Sequence, residues 1–147
     1  MTNKVESIVA AITTKLKAAG IQTVYRWPEE INKLGNRYPL ALIKEQRKEY
    51  IATSGQRYEY YLYIDVVLVS DQIRERMKYM NTLEVNAFNQ LFPDCTLGGL
   101  VMNINPISVD MGGLIGGNDI AAYAGFTETT SFRTISIQCL VQDTRTS

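Results

Sequence analysis

The segment Leu62-Tyr63-Ile64-Asp65-Val66-Val67-Leu68-Val69 constrains this chain more than any other stretch of it. Its β-branched and aromatic side chains favour a pleated strand. Being apolar on both faces, it belongs in the middle of a sheet, covered from both sides. A neighbour lies just upstream. Leu40 to Ile51 reads as a long strand, joined to a second one over Tyr58 to Val69 by the turn signal Thr53-Ser54-Gly55-Gln56. The outer half of this hairpin changes character. Lys44, Glu45, Gln46, Arg47, Lys48 and Glu49 face Arg57, Tyr58, Glu59, Tyr60 and Tyr61 there, a charged, tyrosine-rich composition of the kind that interfaces favour.

Helical periods flank the hairpin. Val5, Ile8, Val9, Ile12, Leu16 and Ala19 recur at three- and four-residue spacing, with Asn3 and Glu6 placed as a capping box and Gly20 as the stop. Ile21 to Arg26 then reads as a short strand. Trp27 is placed as a packing anchor, and Pro28 opens a short helix reaching Leu34. After the hairpin, Ser70-Asp71 is expected to cap a second helix through Ile73, Met77, Met80, Leu83, Phe88 and Leu91, stopped by Pro93. Its charged residues Arg74, Glu75, Arg76 and Lys78 read as a solvated face. Thr96 to Asn105 reads as a strand, and Phe132 to Gln142 alternates as the last one. Between them, 106–131 is a long glycine-rich stretch, expected to be functional or to order on contact.

These elements sum to one α+β domain over residues 1–147. Its expected core is a mixed, mainly antiparallel sheet of four to five strands with two main helices packed on it. The long β-hairpin arm spans about 44–61 and the long loop about 106–131.

Composition narrows the function. At 147 residues, the chain can bury about 70% of its unfolded surface and needs no metal or disulfide to fold. Its 15 basic and 15 acidic residues balance, which argues against a protein built chiefly to neutralise phosphates. No apolar run approaches the roughly 20 residues that span a bilayer, and Met1 to Glu6 does not open a signal peptide. Synthesis and use in the cytoplasm, without a membrane partner, is the expectation. Cys95 and Cys139 stand in no metal-ligand spacing and read as free thiols.

Chemistry is harder to find. The chain has no histidine, which removes the commonest general base and metal ligand. Gly112-Gly113-Leu114-Ile115-Gly116-Gly117 lacks the lysine and hydroxyl of a phosphate loop. Asp65 is an acid inside an apolar strand, and a structural pairing with lysine or arginine is its expected role. Asp94-Cys95 sets a thiol beside an acid without a base to activate it. No catalytic residue, cofactor site or metal site is assigned, and the chain is not read as an enzyme.

The order of elements, and above all Phe92-Pro93-Asp94-Cys95-Thr96-Leu97-Gly98-Gly99-Leu100-Val101, resembles the tail terminator (tail completion, minor tail protein) family of long-tailed bacteriophages. The amphipathic first helix and the closing strand through Ile135 to Val141 agree, so the resemblance spans nearly the whole chain. It departs at 106–131, which is longer and richer in glycine than a minimal member needs.

The resemblance implies a virion assembly protein. It would form a homo-oligomeric sixfold ring that caps the tail tube, ends its polymerisation and joins the tail to the neck or head-completion protein. DNA would pass through unread, and a sheath protein would be a further partner in a contractile tail. Its place would be the tail-neck junction of the virion, after assembly in the host cytoplasm. A head-completion or neck connector protein is the rival within that class. A small-ligand-binding or enzymatic domain built on the glycine loop is the more distant one. Composition and expected exposure point to Arg47, Lys48, Arg57 and Tyr60 for contact between subunits. Asp110, Met111, Leu114 and Ile115 are the candidates for contact with the tube or neck.

Overall fold

A computed structural model of the chain describes residues 4–27, 38–55, 57–111 and 130–144. Two helices and five strands follow in the order α1 (Lys4–Ala18), β1 (Thr23–Trp27), β2 (Leu40–Ser54), β3 (Arg57–Ser70), α2 (Arg76–Leu91), β4 (Asn103–Asp110) and β5 (Ser131–Thr144). The strands form one mixed sheet in the order β1-β2-β3-β5-β4. Only β1 with β2 is parallel; the other three pairings are antiparallel. The fold is therefore α+β, with β3 central as its two-sided apolar pattern requires. The long hairpin is present, and β5 runs beside β3 over its full length, from Ser70↔Ser131 to Arg57↔Thr144.

Both helices cover the same face of the sheet. α1 buries Val5, Ile8, Val9, Ile12 and Leu16, and α2 buries Met80, Leu83, Ala87 and Leu91. They meet Ala41 and Ile43 of β2, Tyr60, Leu62, Ile64, Val66 and Leu68 of β3, and Ile135, Ile137, Cys139 and Val141 of β5 in one core. α1 ends as its glycine demands. Gly20 sits at φ 92°. The Gly20 amide donates to the Lys17 carbonyl at 3.1 Å and the Ile21 amide to the Leu16 carbonyl at 3.3 Å, a Schellman closure that folds Ile21 back into the core. Glu6 is not in a capping role. Its carboxylate meets the Arg26 guanidinium, which also holds Glu45 and so ties α1, β1 and β2 together.

Three elements differ from the sequence reading. Ser70-Asp71 does not cap α2. The Ser70 hydroxyl accepts the Gln72 amide at 3.1 Å, and the helix starts only at Arg76, after a left-handed Glu75 at φ 52°. Ile73 and Met77 consequently stay exposed, at 64% and 51%. Of the strand expected over Thr96 to Asn105, only Asn103 to Asn105 are extended. Residues 94–101 form a compact loop in which the Asp94 carboxylate accepts the Thr96 amide at 3.0 Å, the Thr96 hydroxyl at 2.8 Å and the Gly98 amide at 2.7 Å. Gly98 and Gly99, at φ 70° and 91°, supply the backbone that no β-carbon tolerates cheaply. Leu97 and Val101 are thereby turned inward as plugs of the core. Strand β4 begins after that loop and runs on through Pro106 to Asp110, so the first residues of the expected loop over 106–131 are strand. Proline is tolerated because β4 is an edge strand. Asn3, the expected helix over 28–34 and the Gly112–Gly117 run lie outside the described residues.

Glu6 and Asp94 make acid a specific lever on this fold. Hydrogen bonding to Arg26 holds the Glu6 carboxyl below its ordinary 4.5, and the Thr96 and Gly98 donors hold Asp94 below its ordinary 3.8. The native chain thus binds fewer protons than the unfolded chain as pH falls. The stability these groups contribute is fully present above their ordinary values and is lost as pH drops through the lowered ones. Melting temperature should therefore fall between about pH 5 and about pH 2, and Asp94→Asn should shrink that acid-induced drop. An unchanged acid slope in Asp94→Asn would contradict the assignment.

Candidate functional site

Among the described residues both helices lie on one face of the sheet, and the other, helix-free face divides in two. At the end nearest Leu40 it is apolar and buried, with Leu40, Leu42, Val67, Val69 and Phe132 packed together and Tyr25 and Tyr38 against them. Beyond that patch it is polar and open. Two irregularities create a cleft at the boundary. β2 carries a bulge between Glu45 and Arg47, and β4 carries one between Pro106 and Ser108. They fall on the same level of the sheet, because Glu45 pairs with Ile64, Ile64 with Ile137, and Ile137 with Pro106. A bulge bends its strand and re-aims a side chain. Here two bulges flank the same central residues.

The result is a cleft of about 500 Å³, lined by Gln46, Arg47, Tyr63, Asp65, Ile107, Ser108 and Ser136. Asp65 is at its centre. Its carboxylate accepts the Gln46 amide at 2.6 Å and the Ser136 hydroxyl at 2.9 Å. The expected pairing of Asp65 with lysine or arginine is thus not what holds it: Lys44 stands opposite Asp65 across the strands, but neutral donors fix the carboxylate. Beside it the Arg47 guanidinium lies over the Tyr63 ring, 4.1 Å from its centre, and the Tyr63 hydroxyl accepts the Gln138 amide at 3.1 Å. Arg47 is 63% exposed, and its only described carboxylate is Glu49 at 3.9 Å, a weak exposed contact. Ile107, the bulged residue of β4, forms an apolar wall and is itself 52% exposed.

Chemically this is a recognition surface: a fixed anion, a stacked cation and an apolar wall within one cleft. Among the described residues no group of three or more Cys, Asp or Glu side chains gathers to hold a metal ion. Cys139 is buried beneath the helices, and burial pushes its thiol up to about 12. Cys95 is exposed. An aromatic disulfide reagent should accordingly titrate Cys95 at once in the native chain and Cys139 only after unfolding. Fast reaction of both thiols in the native state would contradict the core placement.

The residues singled out from sequence scatter. Arg47 faces the cleft, while Lys48, one position on, turns to the helix face and lies over the Tyr60 ring at 4.8 Å. Arg57 is exposed beside the hairpin turn. Tyr60 corrects the expectation placed on it. With none of its surface exposed, it belongs to the core of its own chain and has no face left for a neighbour. Asp110 closes β4 and Met111 follows it, 50% exposed; Leu114 and Ile115 lie outside the described residues. Gln46, Ile107 and Ser136 were not visible as a site in the sequence, because a bulge has no signature in a strand pattern.

No protein-family model matches the chain, and no curated protein matches it in sequence. Among solved structures it is similar to a chain of the virion of a native gene transfer agent particle. The TM-score is 0.58 and the sequence identity 7%, with 91% of this chain and 93% of that chain covered. At this identity the likeness is one of fold.

Proposed function

We propose that the chain is a virion structural protein, and that its work is the assembly step of a tail terminator. In this reading it builds a ring of copies that seats on the last ring of the tail tube, halts its growth and offers its other side to the neck. The observation that carries the reading is the fold shared, over more than nine-tenths of each chain, with a component of a virion. The cleft agrees with it: a half-buried carboxylate, a stacked arginine and an exposed isoleucine suit a protein surface better than a small ligand, which is normally enclosed in a mostly apolar pocket. The even balance of charge suits a ring that passes DNA without holding it.

The test uses purified tail tube protein, allowed to polymerise with and without this chain and measured by electron microscopy. Shorter tubes with a cap at one end are the expected result. Tubes of unchanged length, together with binding to the head connector, would replace the terminator reading by that of a neck protein. Stabilisation of the chain by a nucleotide or metal in a thermal-shift screen would favour a ligand-binding domain instead.

A further inference from the structure

The cleft on the helix-free face has a complement elsewhere on the same chain. Among the described residues the Asp65 carboxylate is held by Gln46 and Ser136 and closes no ion pair, with Arg47 lining the same cleft. On the opposite layer, the outward side of α2 and the turn before it expose Ile73 (64%), Met77 (51%) and Val85 (54%). Met77 and Val85 lie two helical turns apart on α2, and Arg74 and Lys78 stand exposed around them. Neither cation closes an ion pair with a carboxylate among the described residues. Large apolar side chains grouped with unpaired cations are a poor solvated face and a good contact surface.

We propose that α2 of one copy seats on the helix-free face of a second copy. Met77 and Val85 lie against Ile107, and Arg74 supplies the cation to Asp65. The second copy is the occupant chosen because the complementarity of charge and apolar surface lies within one sequence. Since the two halves sit on different layers of the chain, the contact is heterologous: each copy uses its helix toward one neighbour and its cleft toward the other. Such a contact closes into a ring wherever its rotation allows. The proposal deepens the ring reading and rests on it.

Light scattering on a sizing column, with circular dichroism as the check on folding, tests it. The wild-type chain should self-associate, and Met77→Glu and Ile107→Glu should each weaken association about tenfold or more, because each puts a carboxylate into the apolar contact. Both positions are about half exposed, so the fold should survive either change. An equimolar mixture of the two variants should stop at dimers, since only one intact helix can meet one intact cleft. In a second arm, Asp65→Arg and Arg74→Asp should each disrupt assembly and restore it when combined in one chain.

A wild-type chain that stays monomeric at its highest soluble concentration overturns the contact. So does either glutamate variant that assembles like wild type, or a mixture that does not pair. These failures are separable from failure of the terminator reading. Tube capping that persists in Met77→Glu and Ile107→Glu sinks this contact alone. Association through the contact without any effect on tube length supports the contact and sinks the terminator reading.

Discussion

Glu84→Ala should destabilise the folded chain by about 2–4 kcal/mol, whereas Arg133→Met should change its stability by about 1 kcal/mol or less. The two residues form one pair. The Arg133 guanidinium is 1% exposed, meets Glu84 at 3.1 Å and also reaches the side-chain carbonyl of Asn81. It enters the core from β5 on the helix face and is held from α2. Removing Glu84 leaves a cation in the interior with a neutral amide as its described partner, and an uncompensated buried charge is the expensive outcome. Glu84 itself is 26% exposed, so water penetration trims the loss below that of a fully buried pair. Removing the charge instead, with a methionine of similar length, leaves Glu84 and Asn81 to be solvated at the surface. Urea unfolding followed by circular dichroism would read both effects as midpoint shifts at constant slope. Equal losses in the two variants would mean that the pair is worth its Coulomb energy outright, contrary to this account.

Periodicity made most of the fold legible, and its failures have a common cause. The stripe of α1, the two-sided apolar pattern of β3 and the alternation of Ile135, Ile137, Cys139 and Val141 each follow from burial against a flat or cylindrical surface, which leaves a regular period. Leu97, Leu100 and Val101 mimic the density of such a pattern without its geometry. They reach the core from a loop whose direction is set by Asp94 and two glycines at positive φ, and apolar content alone does not separate that from a strand. Ser70 misled for a related reason. A serine before an apolar period signals a helix cap, yet the same hydroxyl closes a local turn as readily, and here it does.

The site was less legible than the fold. Asp65 drew attention as an acid in an apolar strand, but its partners come from Gln46 on β2 and Ser136 on β5. Gln46 reaches it because of a bulge, and Ile107 walls the cleft because of another at the same level. Such registers arise from long-range pairing, to which spacing along the chain is blind. Tyr60 was different, since its place was available in the alternation. It shares parity with Leu62, Ile64, Val66 and Leu68, all of which face the helices. The tyrosine-rich composition around it points to an interface, but the two-residue period decides its place.

Tyr60→Ala is accordingly expected to cost about 3–5 kcal/mol, the range for emptying an aromatic site in a core. The ring is wholly buried, stacks on Tyr58 at 6.0 Å, meets Tyr50 at 5.5 Å and carries the Lys48 ammonium over its face. Alanine would remove all of these contacts and leave a void beside Val141, its partner on β5. Tyr60→Phe should go the other way, neutral or stabilising by about 1 kcal/mol, because the hydroxyl is buried with no hydrogen-bond partner among the described residues. Burial also raises the pKa of this hydroxyl, so it stays neutral and contributes no charge to the core. The pair of substitutions separates the two roles a tyrosine here can have. A residue at a subunit contact would lose association on Tyr60→Phe while keeping its melting temperature. A core residue keeps association and melts at the same temperature or higher, and thermal melts run beside light scattering on the same samples decide between them. Loss of assembly in a fully stable Tyr60→Phe chain would return the residue to the interface and require the sheet to open there when copies meet.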